Sequence, residues 1–423
     1  MTPTKFTRVR RQVLAGLFLL SVITYLDRVC ISVAAPKMME DLGLTESELG
    51  LVLGVFTLAY GLFEVPTGWL GDRWGPRKVL TRIVVWWSVF TAWTGAVRGL
   101  PGLLAVRFLF GAGEAGAYPN SSCVISRWFP VQERGRAHGI IWMASRLGGA
   151  ISPLLVVPLQ QAFGWRAVFY IFSLLGVVWA VFWYAWFRDY PSLKTTVSKA
   201  ELEEIGESGH SHHGASFRQI ASSGNVWMIM LMYHAFCYGS YWYIAWMPTY
   251  LVKAKGVQAF ATYAALPFVL GAVANGVGGY ASDWMVRRVG VRWGRRIVGM
   301  AGVGLAGMLM LLSLVIEYQP LALVVLALGF AAADFMLPNC WATCLDVGRE
   351  NAGTVTGAMN TAGQMGATIS SVAFGYLTGI YGWNLPLIGI AGLFFVSALL
   401  WLCIDASKPL VAKAAIPLVE RHA

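Results

Sequence analysis

A chain of 423 residues has the length of two or three soluble domains, but 57% hydrophobic residues, 13% charged residues and a mean hydropathy of +0.60 exclude water-soluble globules. Disordered chains, fibrous repeats, disulfide scaffolds and transmembrane barrels need polar bias, short strict repeats, paired cysteines or alternating strands, so an all-α membrane protein is what remains. The formal charge of +11 is accounted for by where the 32 basic residues lie along the chain, and no nucleic-acid partner is inferred from it.

Apolar runs of about 20 residues, the length that a bilayer core requires, occur twelve times: 13–36, 47–71, 79–97, 100–125, 137–162, 167–187, 226–251, 260–281, 297–316, 320–345, 353–381 and 383–404. Twelve transmembrane helices are therefore expected. With the amino terminus inside, the inner segments hold 24 Lys and Arg and the outer ones five, namely Lys37, Arg98, Arg166, Lys253 and Lys255. This positive-inside asymmetry places both termini in the cytoplasm of a multi-pass cell-membrane protein, in the inner membrane if the host is Gram-negative. The first run is too long for a cleavable signal peptide. The six cysteines lie in or beside apolar stretches, where a thiol behaves as a small hydrophobe, so neither a disulfide framework nor a metal site is expected.

The expected organisation is an amino-terminal six-helix half (1–187), a cytoplasmic linker (188–223), a carboxy-terminal six-helix half (224–404) and a cytoplasmic tail (405–423). The linker holds Glu201, Glu203, Glu204, Glu207 and the run His210-Ser211-His212-His213, read as solvated polar chain in preference to a metal site. Duplication supports the two halves. Gly139, Gly148, Ser152, Gly164 and Trp165 recur 218 residues later as Gly357, Gly366, Ser370, Gly382 and Trp383. Pro119 recurs as Pro338, and Gly68-x-x-x-Asp72 as Gly279-x-x-x-Asp283.

The stretch Gly68-Trp69-Leu70-Gly71-Asp72-Arg73-Trp74-Gly75-Pro76-Arg77-Lys78, with a degenerate copy at Asp283, Arg287 and Arg288, resembles the loop signature of the major facilitator superfamily. The resemblance implies a two-half, twelve-helix fold in which Gly68, Asp72, Arg73, Gly75, Arg77 and Asp283 belong to a gating cluster that holds the halves together on the inner side. Tyr25-Leu26-Asp27-Arg28, Ala34-Ala35-Pro36 and Arg107-x-x-x-Gly111-x-x-Glu114-x-x-x-Tyr118-Pro119 resemble the anion:cation symporter family, in its bacterial sugar-acid branch. That resemblance implies that Arg28 contacts a substrate carboxylate, that Asp27 and Glu114 couple protons with Arg107 beside Glu114, and that Tyr60 lines the cavity.

The residues point the same way on their own. Arg28, Arg107, Arg146, Asp27, Glu64, Glu114 and Asp334 all fall within apolar runs. Intramembrane charges are costly and mark substrate or ion pathways. At about 1.5 Å of rise per residue, several of them lie near the bilayer middle, where carriers bind substrate. Arg28 and Asp27 point about 100° apart, so Arg28 can face a cavity while Asp27 turns toward a neighbouring helix, with Arg107 a suitable partner. An Arg fork matches a carboxylate, and a desolvated acid beside an Arg can trade a proton against an arriving anion. Arg146 either grips a second carboxylate or neutralises Glu64 or Asp334; those two acids would otherwise pair with a loop Arg. Tyr238 and Tyr241 share a face with His234 and, with Asn360 and Gln364, are candidate sugar contacts.

The expected activity is import of a sugar acid, mono- or dicarboxylate, by proton symport with no cofactor, with sodium coupling or anion exchange as alternatives and a non-transporting receptor behind them. No phosphate-binding loop of an ATP-driven pump and no catalytic constellation of an enzyme is present in the sequence. The expected partners are a small organic anion, a proton and lipid, with the chain a monomer.

Overall fold

The computed structural model describes residues 8–44, 46–205, 217–247, 250–255 and 260–410, and among these there is no β-strand. The helices are α1 (Arg8–Leu42), α2 (Glu46–Trp74), α3 (Pro76–Ala96), α4 (Leu100–Glu114), α5 (Ala117–Trp128), α6 (Arg134–Phe163) and α7 (Trp165–Trp186), then the short α8 (Lys199–Ile205) and α9 (Phe217–Ser222). They are followed by α10 (Gly224–Ala245), α11 (Phe260–Val315), α12 (Gln319–Gly348), α13 (Ala352–Tyr381) and α14 (Asn384–Leu400).

Six stretches among the described residues are long and apolar enough to cross a membrane: Val9–Ala35, Leu51–Trp74, Val131–Phe163, Trp165–Trp186, Leu266–Val315 and Gln319–Ser370. The last two, of 50 and 52 residues, are far longer than a single crossing needs. In α11 the chain passes through Gly290 at φ 82°, a left-handed conformation that redirects the helix axis between two apolar runs. Large side chains such as Leu154, Val178 and Val181 stand exposed on the perimeter while polar groups are gathered inside. Helices with this inverted distribution belong in lipid, where every backbone group must find its partner within the helix.

The run at 100–125, expected as one helix, is two. It breaks at Ala115–Gly116, where Gly116 adopts φ 90° with its α-carbon against the Thr67 side chain. Pro119 lacks the N–H that a continuous helix would direct at the carbonyl of Ala115, and its ring crowds that carbonyl. The break leaves Glu114 as the last residue of α4. Its repeat counterpart Pro338 sits inside the unbroken α12.

Small residues set the interhelical spacing, as in membrane bundles generally. A β-carbon on Gly278 of α11 would fall on the backbone carbonyl of Phe335 in α12, an atom that cannot swing aside. Gly278→Leu is therefore expected to destabilise the fold by about 1–3 kcal/mol or more through overpacking, read as a lower melting temperature of the detergent-solubilised protein.

The linker carries structure that its composition did not announce. Arg10, one of the 24 inner-segment basic residues, is fully buried, and its guanidinium pairs with Glu133 (3.2 Å), Glu201 (3.6 Å) and Glu204. These contacts clamp α8 onto the start of α1 and the turn before α6. The histidine run at 210–213 lies outside the described residues.

Candidate functional site

Four helices converge on Arg28. Its Nε donates to Glu114 Oε1 at 2.8 Å, and its guanidinium carbon lies 4.4 Å from the ring centre of Tyr60, 5.5 Å from those of Tyr25 and Phe56, and 5.9 Å from that of Tyr118. Glu114 is completely buried, whereas the Arg28 side chain keeps 17% exposure. Both partners retain capacity: Arg28 Nη2 and Glu114 Oε2 are buried without a hydrogen-bond partner among the described residues. A guanidinium held in an aromatic box with part of its fork unused has the chemistry to receive an anion, since the rings favour the cation without satisfying its N–H groups.

Asp27 turns away from this box, as the 100° step requires. It is buried beside the Trp87 indole with neither oxygen in a well-formed hydrogen bond, within electrostatic range of Glu114 and Arg107. The expected Asp27–Arg107 ion pair is not closed. The Arg107 guanidinium lies 4.8 Å from the Phe56 ring centre and 4.7 Å from that of Phe110, so aromatic faces take the place of the acid.

The remaining buried acids pair across the fold, and neither takes a loop Arg. Glu64 on α2 accepts from the Asn360 side chain on α13. Asp334 on α12 accepts from Arg146 on α6 in a two-pronged pair, Nε to Oδ2 and Nη2 to Oδ1, both at 2.9 Å, and Oδ2 also accepts from Asn275 Nδ2 of α11 at 3.0 Å. In this conformation Arg146 thus serves Asp334. The Tyr241 hydroxyl donates to Gln364 Oε1 at 3.3 Å, and His234 Nδ1 lies 2.9 Å from the Ala362 carbonyl oxygen, both bringing α10 onto α13. Tyr238 is partly exposed one turn before Tyr241, and its side chain makes no hydrogen bond among the described residues. Tyr118 stacks on Trp142 at 4.6 Å between ring centres and shares a 2.7 Å hydrogen bond with Ser145. Sequence reasoning missed Tyr25, Phe56 and Asn275 as members of this centre. The first two stand one turn before residues it chose, Arg28 and Tyr60, and Asn275 is the 211-residue repeat of Glu64.

At the end of the bundle carrying the glycine and arginine signature, a seam closes by two matching contacts. Asp72 accepts from the backbone N–H of Gly353 (2.9 Å) and of Thr354 (2.8 Å) and from the Thr354 hydroxyl (2.6 Å), at the amino terminus of α13. Asp283 accepts from the backbone N–H of Gly135 (2.9 Å) and Arg136 (2.7 Å), at the amino terminus of α6. Each carboxylate meets unpaired N–H groups and the positive end of a helix. Gly68 packs on the Gly353 carbonyl and Gly279 on that of Gly135, too closely for any β-carbon. Gly135 and Gly353 are themselves 218 residues apart, so the repeat read from sequence becomes one contact made twice.

Arg287 of the second copy also crosses this seam, donating to the Gln132 carbonyl at 3.2 Å, whereas Arg73, Gly75 and Arg77 of the first do not. Arg73 lies over Trp69, Gly75 makes a left-handed turn at φ 87°, and Arg77 donates from its backbone to Asp189 and from its side chain to the Tyr184 carbonyl, tying α3 to the end of α7. Arg134 and Arg295 instead reinforce the seam, each 3.0 Å from Asp346.

Residues 17–371 match the family model of the Major Facilitator Superfamily. A probable sulfoacetate transporter of Cupriavidus necator is 37% identical over 94% of each chain. A probable L-galactonate transporter of Escherichia coli is 32% identical over 80% of this chain and 76% of its own. Among solved structures, the human organic anion transporter MFSD10 superposes with a TM-score of 0.73 at 16% identity, covering 93% of this chain and all of that one, a likeness of fold alone.

Proposed function

The chain belongs to the major facilitator superfamily, a family of transporters and not of enzymes, and from that premise we propose that it imports a small organic anion, a sugar acid or a short sulfonated or carboxylated acid, by proton symport through alternating access. Twelve spans in two halves with both termini inside are part of this reading. The observation that carries it is Arg28, boxed by aromatic rings at mid-helix depth with an unsatisfied N–H edge and a buried carboxylate as its present partner. An arriving anion competes with Glu114 for Arg28. A carboxylate losing its cation in a low-dielectric site favours taking up a proton, so anion and proton bind together. Relatives described as carriers of sulfoacetate and L-galactonate support the anion.

The test is uptake into proteoliposomes of sulfoacetate and L-galactonate. An inward proton gradient is expected to drive accumulation of at least one of them, and a protonophore to collapse it. Arg28→Lys exchanges a planar fork for a point charge and is expected to weaken binding by about 1.5–3 kcal/mol, roughly ten- to a hundredfold. Uptake indifferent to pH but dependent on sodium overturns the proton assignment, and unchanged affinity in Arg28→Lys overturns the site.

A further inference from the structure

Arg146 is the second strongly placed guanidinium of the central region, and its surroundings duplicate those of Arg28. Each is held on one side by a buried carboxylate, Glu114 for Arg28 and Asp334 for Arg146. Each also lies over an aromatic ring, Tyr60 at 4.4 Å and Phe330 at 5.4 Å. Tyr118 lies between them: its ring centre is 5.9 Å from the Arg28 guanidinium and its hydroxyl shares a 2.7 Å hydrogen bond with Ser145, the residue before Arg146. The backbone of α1 touches α6 at this level, where a β-carbon on Gly148 would stand 3.2 Å from Tyr25 Cβ, half a turn beyond Arg146.

We propose that Arg28 and Arg146 are the two ends of one site for a dianion, and that Asp334 holds Arg146 until the second anionic group displaces it. The proposal rests on the carrier reading above and names the substrate class of that same site. Charge decides between one anionic group and two. The buried centre has three arginines, Arg28, Arg107 and Arg146, against four acids, Asp27, Glu64, Glu114 and Asp334, so acids are already in excess. A monoanion needs only Arg28. A dianion brings a further negative charge that is tolerated only by taking the place of Asp334 on Arg146, whereupon the released carboxylate binds a proton from solvent and stays neutral. The groups facing Asp334 are Arg146 of α6 and Asn275 of α11, with Tyr25 of α1 and Tyr118 of α5 beside Arg146 and Tyr243 of α10 against Phe330. Asn275 remains as a donor to Asp334 after Arg146 leaves, so the acid is not stranded.

The test is calorimetric binding to the purified full chain in buffers of different ionisation heat, comparing galactarate with galactonate and sulfoacetate with acetate. The parent is expected to take up about one more proton per dianion than per matching monoanion. Arg146→Gln is expected to lose about tenfold or more in dianion affinity and less than about threefold for monoanions, in line with a lost charged hydrogen bond. Asp334→Asn should bind dianions at least as tightly as the parent while the additional proton disappears. Because Arg146→Gln leaves Asp334 without its cation, Arg146→Gln with Asp334→Asn removes both charges and must show the same loss of dianion selectivity. Equal losses for both ligand classes, or an additional proton that survives Asp334→Asn, overturns the dianion site while leaving the carrier standing. Absence of binding by all four anions overturns both.

Discussion

Glu114→Gln is expected to abolish accumulation of substrate while leaving exchange intact. Glu114 terminates α4, is completely sealed from solvent and has Arg28 on one oxygen and no partner on the other. Glutamine keeps the carbonyl oxygen that can accept from Arg28 Nε and keeps nearly the same volume, so binding and the conformational cycle with substrate aboard are retained. What it cannot do is release a proton. A permanently neutral residue imitates the loaded carrier, and the empty return step, which requires the acid to re-form its pair with Arg28, is lost. The measurement is a pair of assays on the same proteoliposomes: uptake driven by a proton gradient should fall to the equilibrium level, a loss of about tenfold for each unit of imposed pH gradient per coupled proton, about 1.4 kcal/mol, while counterflow of labelled substrate continues. If Glu114→Gln concentrates substrate as well as the parent, Glu114 is a structural anchor and Asp27, buried without a good hydrogen bond, is left as the proton carrier.

Both outcomes turn on pairings that the sequence could nominate but not assign. Hydropathy located the apolar runs because lipid demands about 20 apolar residues wherever the chain crosses. It could not show that the chain turns between two of them at Gly290 with no intervening loop or that the Pro119 region breaks another, since neither event changes mean hydropathy. The helical step separated Asp27 from Arg28 correctly, yet gave Arg107 to Asp27. Which acid an arginine meets depends on the rotation of α4 against α1 and on where Phe56 and Phe110 stand, quantities set by packing. Arg146 and Asp334 are 188 residues apart and Glu64 and Asn360 are 296 apart, so only assembly of the whole bundle brings them together. Arg10 illustrates the opposite limit: positive-inside counting took it only as one of the inner-segment cations and gave no sign that three glutamates hold it buried. The repeat carried furthest, because glycines needed for close backbone approach are needed at both copies.

Removing the two seam carboxylates is expected to open the end of the bundle that Asp72 and Asp283 close. Each accepts backbone N–H bonds at a helix amino terminus, Asp72 on α13 and Asp283 on α6, and each gains from the helix dipole as well as from the hydrogen bonds. A partly buried carboxylate in such a position is worth up to about 2 kcal/mol. One alanine substitution should therefore shift the closed-to-open balance about ten- to thirtyfold, and Asp72→Ala with Asp283→Ala together by more than about a hundredfold. Cys123 reports the change. Its thiol is buried in the seam, donating to Asp72 Oδ1 at 3.1 Å and packed on Gly353, so a maleimide reaches it only when α2 and α13 separate. The background is Cys403→Ser, which removes the exposed thiol. Asp72→Ala alters the immediate neighbour of the thiol and confounds reactivity with access. Asp283→Ala leaves every contact of Cys123 in place, so faster alkylation there reports opening of the seam itself. An alkylation rate unchanged in Asp283→Ala and in the double variant, with transport preserved, shows that the seam is held by the arginines on Asp346 and by close glycine packing, and that the two carboxylates have no gating role.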